Sequence, residues 1–331
     1  MEPQAKRGLL ERIRAAGMPL GQYVEGRFYY GIKTGFNDAF VIDGPTKDRL
    51  IAEHASSAAI IKPFLRGRDI KRWRVEPQDL WLIFTRRGID IDAYPAVKAH
   101  LEQNREKLEP KPADWDDAKR GKWEGRKAGS YKWFEIQDNI AYWQEFEQPK
   151  IVYPDIYEHQ SFAWDRSGAY GANTCYFIPT GQRWLTGFLN TSLVEWLYGQ
   201  LSNRIRGGYL RAFSDYMQQV PIPNRASAIE RGLIDCIVGV QVGRPDNRLE
   251  QLLNGFVYEL FFKDDLHARG LTLFDEAERA GLGDLAGLEG AALRTAAEAF
   301  AASHLVPGAR LRTMLSDLAT LDVVRIIEGR E

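Results

Sequence analysis

The sequence contains little cysteine and histidine. Two of its 331 residues are cysteines, Cys175 and Cys236, and its five histidines are isolated from one another. Two cysteines cannot form a disulfide framework, and no Cys/His spacing here is typical of a zinc site. No apolar run approaches the roughly 20 residues that a membrane-spanning helix needs, and residues 1–20 lack the apolar core of a signal peptide. These absences predict a soluble, cytoplasmic protein without an obvious structural metal.

Motifs for independent catalysis are also absent. The sequence has no Asn-Pro-Pro-aromatic or Asp-Pro-Pro-aromatic tetrapeptide, the base-pocket motif of amino-methyltransferases. It has no Gly-x-Gly-x-x-Gly after a strand and no Walker A loop. A metal nuclease needs a Pro-Asp pair followed by an acidic-x-Lys element, and the sequence after Asp155 lacks that element, while Asp117 and Lys119 supply only the second half. We therefore predict no catalytic, cofactor-binding or metal-binding residue in this chain.

Charge and aromatic residues divide the chain into two blocks. Residues 1–225 carry 33 basic and 28 acidic side chains, whereas residues 226–331 carry 11 basic and 17 acidic ones. All nine tryptophans precede residue 200, and six of the 39 aromatic residues follow residue 225. We predict a lead-in at residues 1–20, a mildly basic domain at 21–225 and an acidic region at 226–331, with the boundary near 221–230.

The periodicity of apolar residues predicts an α+β fold. The first block is expected to be mixed α/β with short strands, and the C-terminal region to be all-helical. Strands are predicted at residues 39–43, 79–84, 150–153, 161–164 and 173–178. The last two are expected to form a hairpin, because residues 165–168 have turn chemistry. A helix is expected at residues 90–107.

Two successive helices are predicted within residues 181–206. Leucines and aromatic residues recur there at three- and four-residue steps, and Asn190-Thr191 interrupts the pattern. Ser192 and Glu195 have the spacing of a capping box. Ser214 is expected to cap one more short helix before Pro221.

The segment at residues 31–43 is the first candidate site. Gly31 and Gly35 flank Lys33-Thr34, where backbone amides could receive a phosphate. The alternative is a tight turn leading into a strand, with Asn37 and Asp38 as turn formers.

A second candidate is the most basic segment of the chain. Within residues 62–74 there are six basic side chains, interleaved with Phe64 and Trp73: Lys62, Arg66, Arg68, Lys71, Arg72 and Arg74. Arginine reads guanine edges bidentately, and Lys/Arg contacts to phosphate supply most non-specific affinity for nucleic acid. The alternative is a solvated face in which Asp69 pairs with an arginine.

Two further segments combine cations with aromatic residues or glycine. Residues 115–133 contain three tryptophans together with Lys122 and Arg126, a composition that suits backbone tracking and base contact. Buried packing of the tryptophans is the alternative. Residues 203–211 form a basic turn that includes Arg206, whose neighbouring glycines are explained equally well by a helix C-cap.

Six segments in this order carry a resemblance to a known family. They are residues 31–43, residues 61–70 with the run Lys-Pro-Phe-Leu-Arg-Gly-Arg-Asp-Ile, Gln148-Pro149-Lys150-Ile151-Val152-Tyr153, Leu189-Asn190-Thr191, Arg206-Gly207-Gly208-Tyr209 and Val220-Pro221-Ile222-Pro223. Together they resemble the TaqI-like C-terminal specificity domain. This is the target-recognition region of adenine-N6 DNA methyltransferases in restriction-modification and phage-defence systems, including fused type II enzymes. Residues 249–261 resemble the helix that trails this domain in the fused enzymes.

The resemblance implies a recognition module separated from its catalytic domain. In the family, a preceding domain holds the S-adenosylmethionine site and the flipped-adenine pocket, whereas only about 20 residues precede the resemblance here. We therefore expect no cofactor in this chain, double-stranded DNA as its partner, and a methyltransferase domain or subunit that supplies S-adenosylmethionine. The predicted DNA-binding residues are Lys33, Lys62, Arg66, Arg68, Lys71, Arg72, Arg74, Lys122, Arg126 and Arg206. Of these, Lys33 and Lys62 are expected to meet phosphate rather than bases.

Two other functions remain open from sequence. The chain could be a divergent metal-dependent nuclease, for which Asp117 and Lys119 are the support. It could also be a protein-interaction subunit whose acidic helical tail is the working surface. Residues 263–331 lie outside the resemblance, and they could dock a partner or cover the core of the preceding domain.

Overall fold

The computed structural model describes residues 3–202 and 208–329. The strands in these ranges are β1 (Gly17–Pro19), β2 (Tyr29–Tyr30), β3 (Val41–Asp43), β4 (Ile61–Leu65), β5 (Leu80–Ile83), β6 (Lys150–Pro154), β7 (Ile156–Tyr157), β8 (Ala163–Asp165), β9 (Tyr170–Gly171), β10 (Cys175–Pro179), β11 (Leu210–Arg211) and β12 (Pro221–Pro223). The helices of the first block are α1 (Pro3–Ala15), α2 (Leu20–Tyr23), α3 (Asn37–Phe40), α4 (Gly44–Glu53), α5 (Pro95–Glu102), α6 (Arg105–Leu108), α7 (Asp117–Arg120), α8 (Trp184–Leu189), α9 (Ser192–Leu201) and α10 (Ser214–Met217).

The C-terminal region is helical, as predicted. Its helices are α11 (Ala228–Gly243), α12 (Asn247–Phe261), α13 (Lys263–His267), α14 (Leu273–Arg279), α15 (Gly290–His304), α16 (Arg310–Leu318) and α17 (Asp322–Ile327). Ser227 caps α11 by accepting a hydrogen bond from the Glu230 N–H, and the Glu230 carboxylate accepts from the Ser227 N–H in return. The predicted α+β class is confirmed. None of the helices in the described residues is long and apolar enough to cross a membrane.

Two four-stranded sheets organise the first block. One has the strand order β3-β5-β4-β9 and the other β2-β10-β6-β8, while β1–β12 and β7–β11 form two-stranded ribbons. All the neighbours are antiparallel except β4 and β9, which run parallel. The sheets are joined by residues 172–174, because β9 belongs to the first sheet and β10 to the second.

The predicted strands at residues 79–84 and 150–153 are confirmed, but the predicted hairpin is wrong. β8 and β10 do not pair with each other; both pair antiparallel with β6, from its two sides. The turn itself is present, since the Asp165 carboxylate accepts hydrogen bonds from the N–H and the hydroxyl of Ser167. The chain then enters β9 instead of returning along β8. At residues 39–43, Ala39 and Phe40 end α3, and only Val41–Asp43 is a strand.

The predicted break at Asn190-Thr191 is confirmed, because α8 ends at Leu189 and α9 begins at Ser192. The predicted capping box does not form. Thr191 is the N-cap of α9 and makes no side-chain cap bond, and the Ser192 N–H instead donates to the Asn254 side chain of α12. The helix expected at residues 90–107 is divided into a 3-10 turn at Ile91–Ala93 followed by α5 and α6. The short helix expected near Ser214 is present as α10, but Ser214 is its first residue and not its cap, since the N-cap is Phe213 and no side chain caps the helix.

Apolar side chains form two core clusters whose division differs from the charge boundary. One lies among residues 32–177 and includes Phe40, Leu82 and Phe146. The other joins α8 and α9 to the C-terminal helices. A Cβ on Gly187 of α8 would lie 2.6 Å from the Val238 side chain of α11, so these helices touch closely. The helical region therefore shares its core with the preceding residues, and the domain division at residue 225 remains a prediction.

Arg126 organises the long connection before β6 from inside the protein. It is 3% exposed, and its guanidinium donates five hydrogen bonds to backbone carbonyls. The acceptors are Thr34, Leu108, Lys132, Trp133 and Glu135, at 2.7–3.2 Å. Burial lowers the pKa of Arg126 to about 10. One side chain thus fixes residues 34, 108 and 132–135 around a single point.

Two glycines allow the chain to pack against residues 172–174. A Cβ on Gly31 would lie 1.9 Å from the Ala172 carbonyl oxygen, and one on Gly67 would lie 2.6 Å from the Thr174 carbonyl oxygen. The same contacts carry hydrogen bonds: the Gly67 N–H donates to Thr174 Oγ1 at 2.9 Å, and the Asn173 N–H donates to the Ile32 carbonyl at 3.0 Å. Backbone therefore meets backbone on both sides of this short segment.

We predict that Gly31→Ala lowers the free energy of unfolding by about 2–4 kcal/mol, because the methyl group would overlap a backbone atom that cannot rotate away. Gly8→Ala in α1 is the control, since nothing lies within 4 Å of its Cβ position. That change should stabilise the protein by up to about 1 kcal/mol through helix propensity. Urea unfolding followed by tryptophan fluorescence measures both, and equal effects would contradict the predicted close packing.

We predict that Arg126→Lys lowers the free energy of unfolding by about 2–4 kcal/mol. A lysine ammonium has three donors and no planar fork, so it leaves buried carbonyls without partners. Lys122→Ala, at an exposed position on the same connection, should change stability by less than about 0.5 kcal/mol. Chemical denaturation of the two variants compares them directly; an Arg126→Lys protein as stable as wild type would refute the assigned role.

Candidate functional site

The basic segment at residues 62–74 folds as β4, a 3-10 turn at Gly67–Asp69 and a loop. Arg66 donates two hydrogen bonds from its guanidinium to Asp69, at 2.8 and 2.9 Å, and its backbone N–H donates a third. Asp69 is 3% exposed. Burial raises the pKa of Asp69, but the hydrogen bonds from Arg66 outweigh this effect and the net pKa is lowered. The structure therefore confirms the alternative interpretation for Arg66, in which Asp69 pairs with an arginine.

Three more of the predicted cations also have internal partners. Lys62 forms a salt bridge with Glu147 at 3.0 Å, and Arg74 forms one with Glu76 at 2.7 Å. Arg72 donates to the Glu250 carboxylate of α12 and to the backbone carbonyl of residue 190, which joins the loop to the helical region. Four of the six charges thus hold the segment in place.

Arg68 and Lys71 differ from the other four cations. Both are exposed, and their side chains make no hydrogen bond or salt bridge with any residue that the structure describes. They line one side of an open groove of about 470 Å³. The opposite side comes from the connection between β6 and β8 and includes Asp155, Glu158 and His159. The groove thus has unpaired cations on one wall and carboxylates on the other.

The first two candidate segments lie on either side of residues 171–174, of which Thr174 lines the groove. The Ile32 N–H donates to the Gly171 carbonyl at 2.7 Å, so residues 31–33 lie along one side of residues 171–174, and Gly67 lies along the other. Lys33 is exposed, and so are Asn173 and Thr174. The structure therefore brings Arg68 and Lys71 together at the groove, whereas Lys33 does not line it and its backbone pairs with Asp138.

The other two candidate segments are placed differently. Arg126 is buried and satisfied by backbone carbonyls, so we assign it to the fold and remove it from the predicted DNA contacts. Lys122 is exposed beside Trp123, whose indole N–H donates to the Glu109 carbonyl at 3.2 Å. The ring of Trp123 meets that of Trp115 edge-on at 4.7 Å, so these tryptophans pack on each other. Arg206 lies outside the described residues.

Sequence reasoning missed several groups at this face. The sequence predicts Asn173 and Thr174 only as strand residues, and Asp155 only as part of an incomplete nuclease motif. The β7–β11 ribbon was also missed, because Tyr157 pairs with Leu210 across more than fifty residues and each strand is two residues long. No local periodicity signals such a pairing. The one sequence feature that could have pointed to the ribbon is an aromatic residue close to an arginine, as at Tyr209 and Arg211.

The described residues contain no group of three or more His, Cys, Asp or Glu side chains that could hold a metal ion. Both cysteines are buried, and burial raises the pKa of Cys175 to about 12, which keeps its thiol protonated. Asp117, the acidic half of the considered nuclease element, accepts a hydrogen bond from Lys111 at 2.6 Å. The groove therefore offers cations, carboxylates, a histidine and hydroxyls for non-covalent contacts.

Comparisons with known proteins agree with the resemblance found in the sequence. Residues 62–222 match the TaqI-like C-terminal specificity domain. The type II methyltransferase M.PaeR7I of Pseudomonas aeruginosa is 23% identical over 235 residues, which cover 70% of this chain and 38% of that protein. For M.XhoI of Xanthomonas vasicola the identity is 23% over 228 residues, covering 67% and 38%, and for M.BstVI of Geobacillus stearothermophilus it is 22% over 205 residues, covering 60% and 33%.

The chain spans between a third and two fifths of the length of these curated relatives. A solved structure of the Type IIL restriction-modification enzyme MmeI in complex with DNA covers 92% of this chain and 36% of its own, with a TM-score of 0.45 and 15% identity. The matched domain contains the basic segment, the groove and both sheets except β2 and β3. Residues 62–222, just under half of this chain, are therefore similar to the TaqI-like C-terminal specificity domain.

Proposed function

We propose that this chain is the DNA-recognition part of an adenine-specific DNA methyltransferase of a restriction-modification or phage-defence system. In this proposal it binds double-stranded DNA sequence-specifically and positions it for a catalytic domain or subunit outside this chain. The matched specificity domain and the type II methyltransferase relatives support the proposal. The relatives align over a minor part of their length, which leaves room for a catalytic domain elsewhere.

The observation that carries the proposal is the pair of unpaired cations at the groove. An exposed cation that has an internal carboxylate partner must lose that partner before it binds phosphate. Arg68 and Lys71 make no hydrogen bond or salt bridge to a carboxylate among the described residues, although Arg68 is close enough to Asp69 to help lower its pKa, so both cations can bind phosphate without breaking an ion pair. Neutralising phosphates releases condensed counterions, which is the main source of non-specific affinity for DNA.

The placement of each cation suggests its role. Arg68 stands on the groove wall and is proposed to read a base edge, since arginine bonds guanine bidentately. Lys71 and Lys33 are proposed to contact phosphates on either side. Lys62, Arg66, Arg72 and Arg74 are proposed to hold the loop through their ion pairs and to add to the positive potential. Lys122, which does not line the groove, and Arg206, which lies outside the described residues, remain proposed contacts.

We expect the double substitution Arg68→Ala/Lys71→Ala to weaken binding to duplex DNA roughly tenfold or more at low salt. The plot of log affinity against log salt should become less steep by about one to two units, because each phosphate contact contributes about 0.9. Fluorescence anisotropy with a labelled duplex at several salt concentrations gives both values.

The matched control is Arg269→Ala/Arg294→Ala, which removes two exposed arginines from the helical region. It should leave affinity and slope near those of wild type. Arg66→Ala is a poor probe, since it also strips a buried carboxylate of its partner. If the groove variant keeps the wild-type affinity and slope, the site assignment fails.

We further expect the purified chain to show no saturable binding of S-adenosylmethionine and no methylation of DNA, because the cofactor and base-pocket motifs are absent from its sequence. Isothermal titration with the cofactor and a tritium-transfer assay measure these properties. Micromolar binding of S-adenosylmethionine would contradict the proposal that the cofactor site lies outside this chain. Metal-dependent cleavage of plasmid DNA, measured alongside, would instead support a nuclease.

A further inference from the structure

The β7–β11 ribbon displays apolar side chains to solvent beside the groove. Ile156, at the start of β7, is 42% exposed, Tyr209, directly before β11, is 41% exposed, and Phe213, two residues after β11, is 38% exposed. The other face of the ribbon is anchored, because Tyr157 is 4% exposed and Leu210 is fully buried. The alternation of a two-stranded ribbon thus places one face in the core and the other in solvent.

The ribbon is held firmly at the edge of the groove. Ala212 donates its N–H to the Asp155 carbonyl at 2.8 Å, and the Tyr198 hydroxyl donates to the Arg211 carbonyl at 2.5 Å. The Asp155 N–H in turn donates to the Thr174 carbonyl at 2.9 Å, on the segment beside Arg68. The exposed apolar face and the cationic wall are therefore parts of one connected surface.

The groups around the ribbon suit base edges better than phosphates alone. A phosphate surface needs donors, whereas base edges also present amino groups that need acceptors. Arg68 and Arg211 supply donors here, and Glu158 and Asp155 supply acceptors. The Asp155 Oδ1 atom is buried and has no hydrogen-bond partner among the described residues, whereas Glu158 is exposed on the same wall, so the Glu158 carboxylate is the accessible acceptor.

We propose that the β7–β11 ribbon enters the major groove of DNA and that Ile156 and Tyr209, together with the neighbouring Glu158, read base edges. This inference rests on the proposed function. The major groove admits a two-stranded ribbon, apolar side chains there contact the thymine methyl group, and carboxylates accept from the cytosine amino group. Arg68 and Lys71 lie beside the ribbon, where Arg68 adds a donor for base edges and Lys71 brings positive charge to an adjacent phosphate.

The test is selection of binding sites from a duplex library with a randomised central segment, using the full chain at low salt. The variants are Ile156→Ala and Tyr209→Ala, and the control is Ile229→Ala, which truncates an isoleucine that is 58% exposed on α11. The melting temperatures of the three variants are compared with that of wild type, and each should be unchanged.

We expect wild type and Ile229→Ala to select the same sequence. Each ribbon variant should lose preference at one or two base pairs and bind the wild-type sequence about tenfold more weakly, with an unchanged salt slope, because an apolar contact releases no counterion. Tyr209→Phe should keep the preference, since the apolar ring remains.

The outcomes separate the two proposals. Absence of any salt-dependent DNA binding by wild type overturns the proposed function itself. Salt-dependent binding by wild type with no sequence preference overturns both the sequence-specific part of the proposed function and the ribbon inference. Sequence-selective binding by wild type, with ribbon variants that select the same sequence, overturns the ribbon inference alone. A ribbon variant that loses affinity together with salt slope places this surface on phosphates and likewise overturns base reading.

Discussion

The structure depends on a contact of backbone against backbone at residues 172–174. This segment is all that separates β9 of one sheet from β10 of the other, so its position sets how the sheets lie relative to each other. Gly31 and Gly67 flank it at distances that exclude a side chain. Because main-chain atoms cannot rotate out of the way, the arrangement is rigid where Lys33 and Arg68 emerge.

Internal pairing decides which positive charges face solvent. The Arg66–Asp69 pair is bidentate around a nearly buried carboxylate, whereas the Arg74–Glu76 pair is half-exposed and weak. Both pairs position the loop, but they also neutralise the positive charges of Arg66 and Arg74. The charges of Arg68 and Lys71 are not neutralised in this way, and they lie next to carboxylates, which repel phosphate. Such a mixed surface favours discrimination between partners over raw affinity.

The sequence predicted those features that depend on interactions between residues close together in the chain. The buried strand β6 is a continuous apolar run after Lys150, and the break between α8 and α9 follows from Asn190-Thr191, so both were predictable. The hairpin prediction failed because β6 lies between β8 and β10 and pairs with both, so the two strands expected to pair with each other are hydrogen-bonded to β6 instead. The partners of Lys62 and Arg72 lie 85 and 178 residues away, and nothing in a local basic run distinguishes Arg126, buried, from Lys122, exposed.

The ion pair between Arg72 and Glu250 has a consequence for modularity. It joins the basic loop to α12, and the helices on either side of residue 225 share a core. The matched domain ends before this helix begins, so cutting the chain there would expose Phe188 and its neighbours and leave Arg72 without its carboxylate. If the matched domain is fused to another catalytic domain, α11 and α12 must be included, because their side chains complete the core on which residues 62–222 depend.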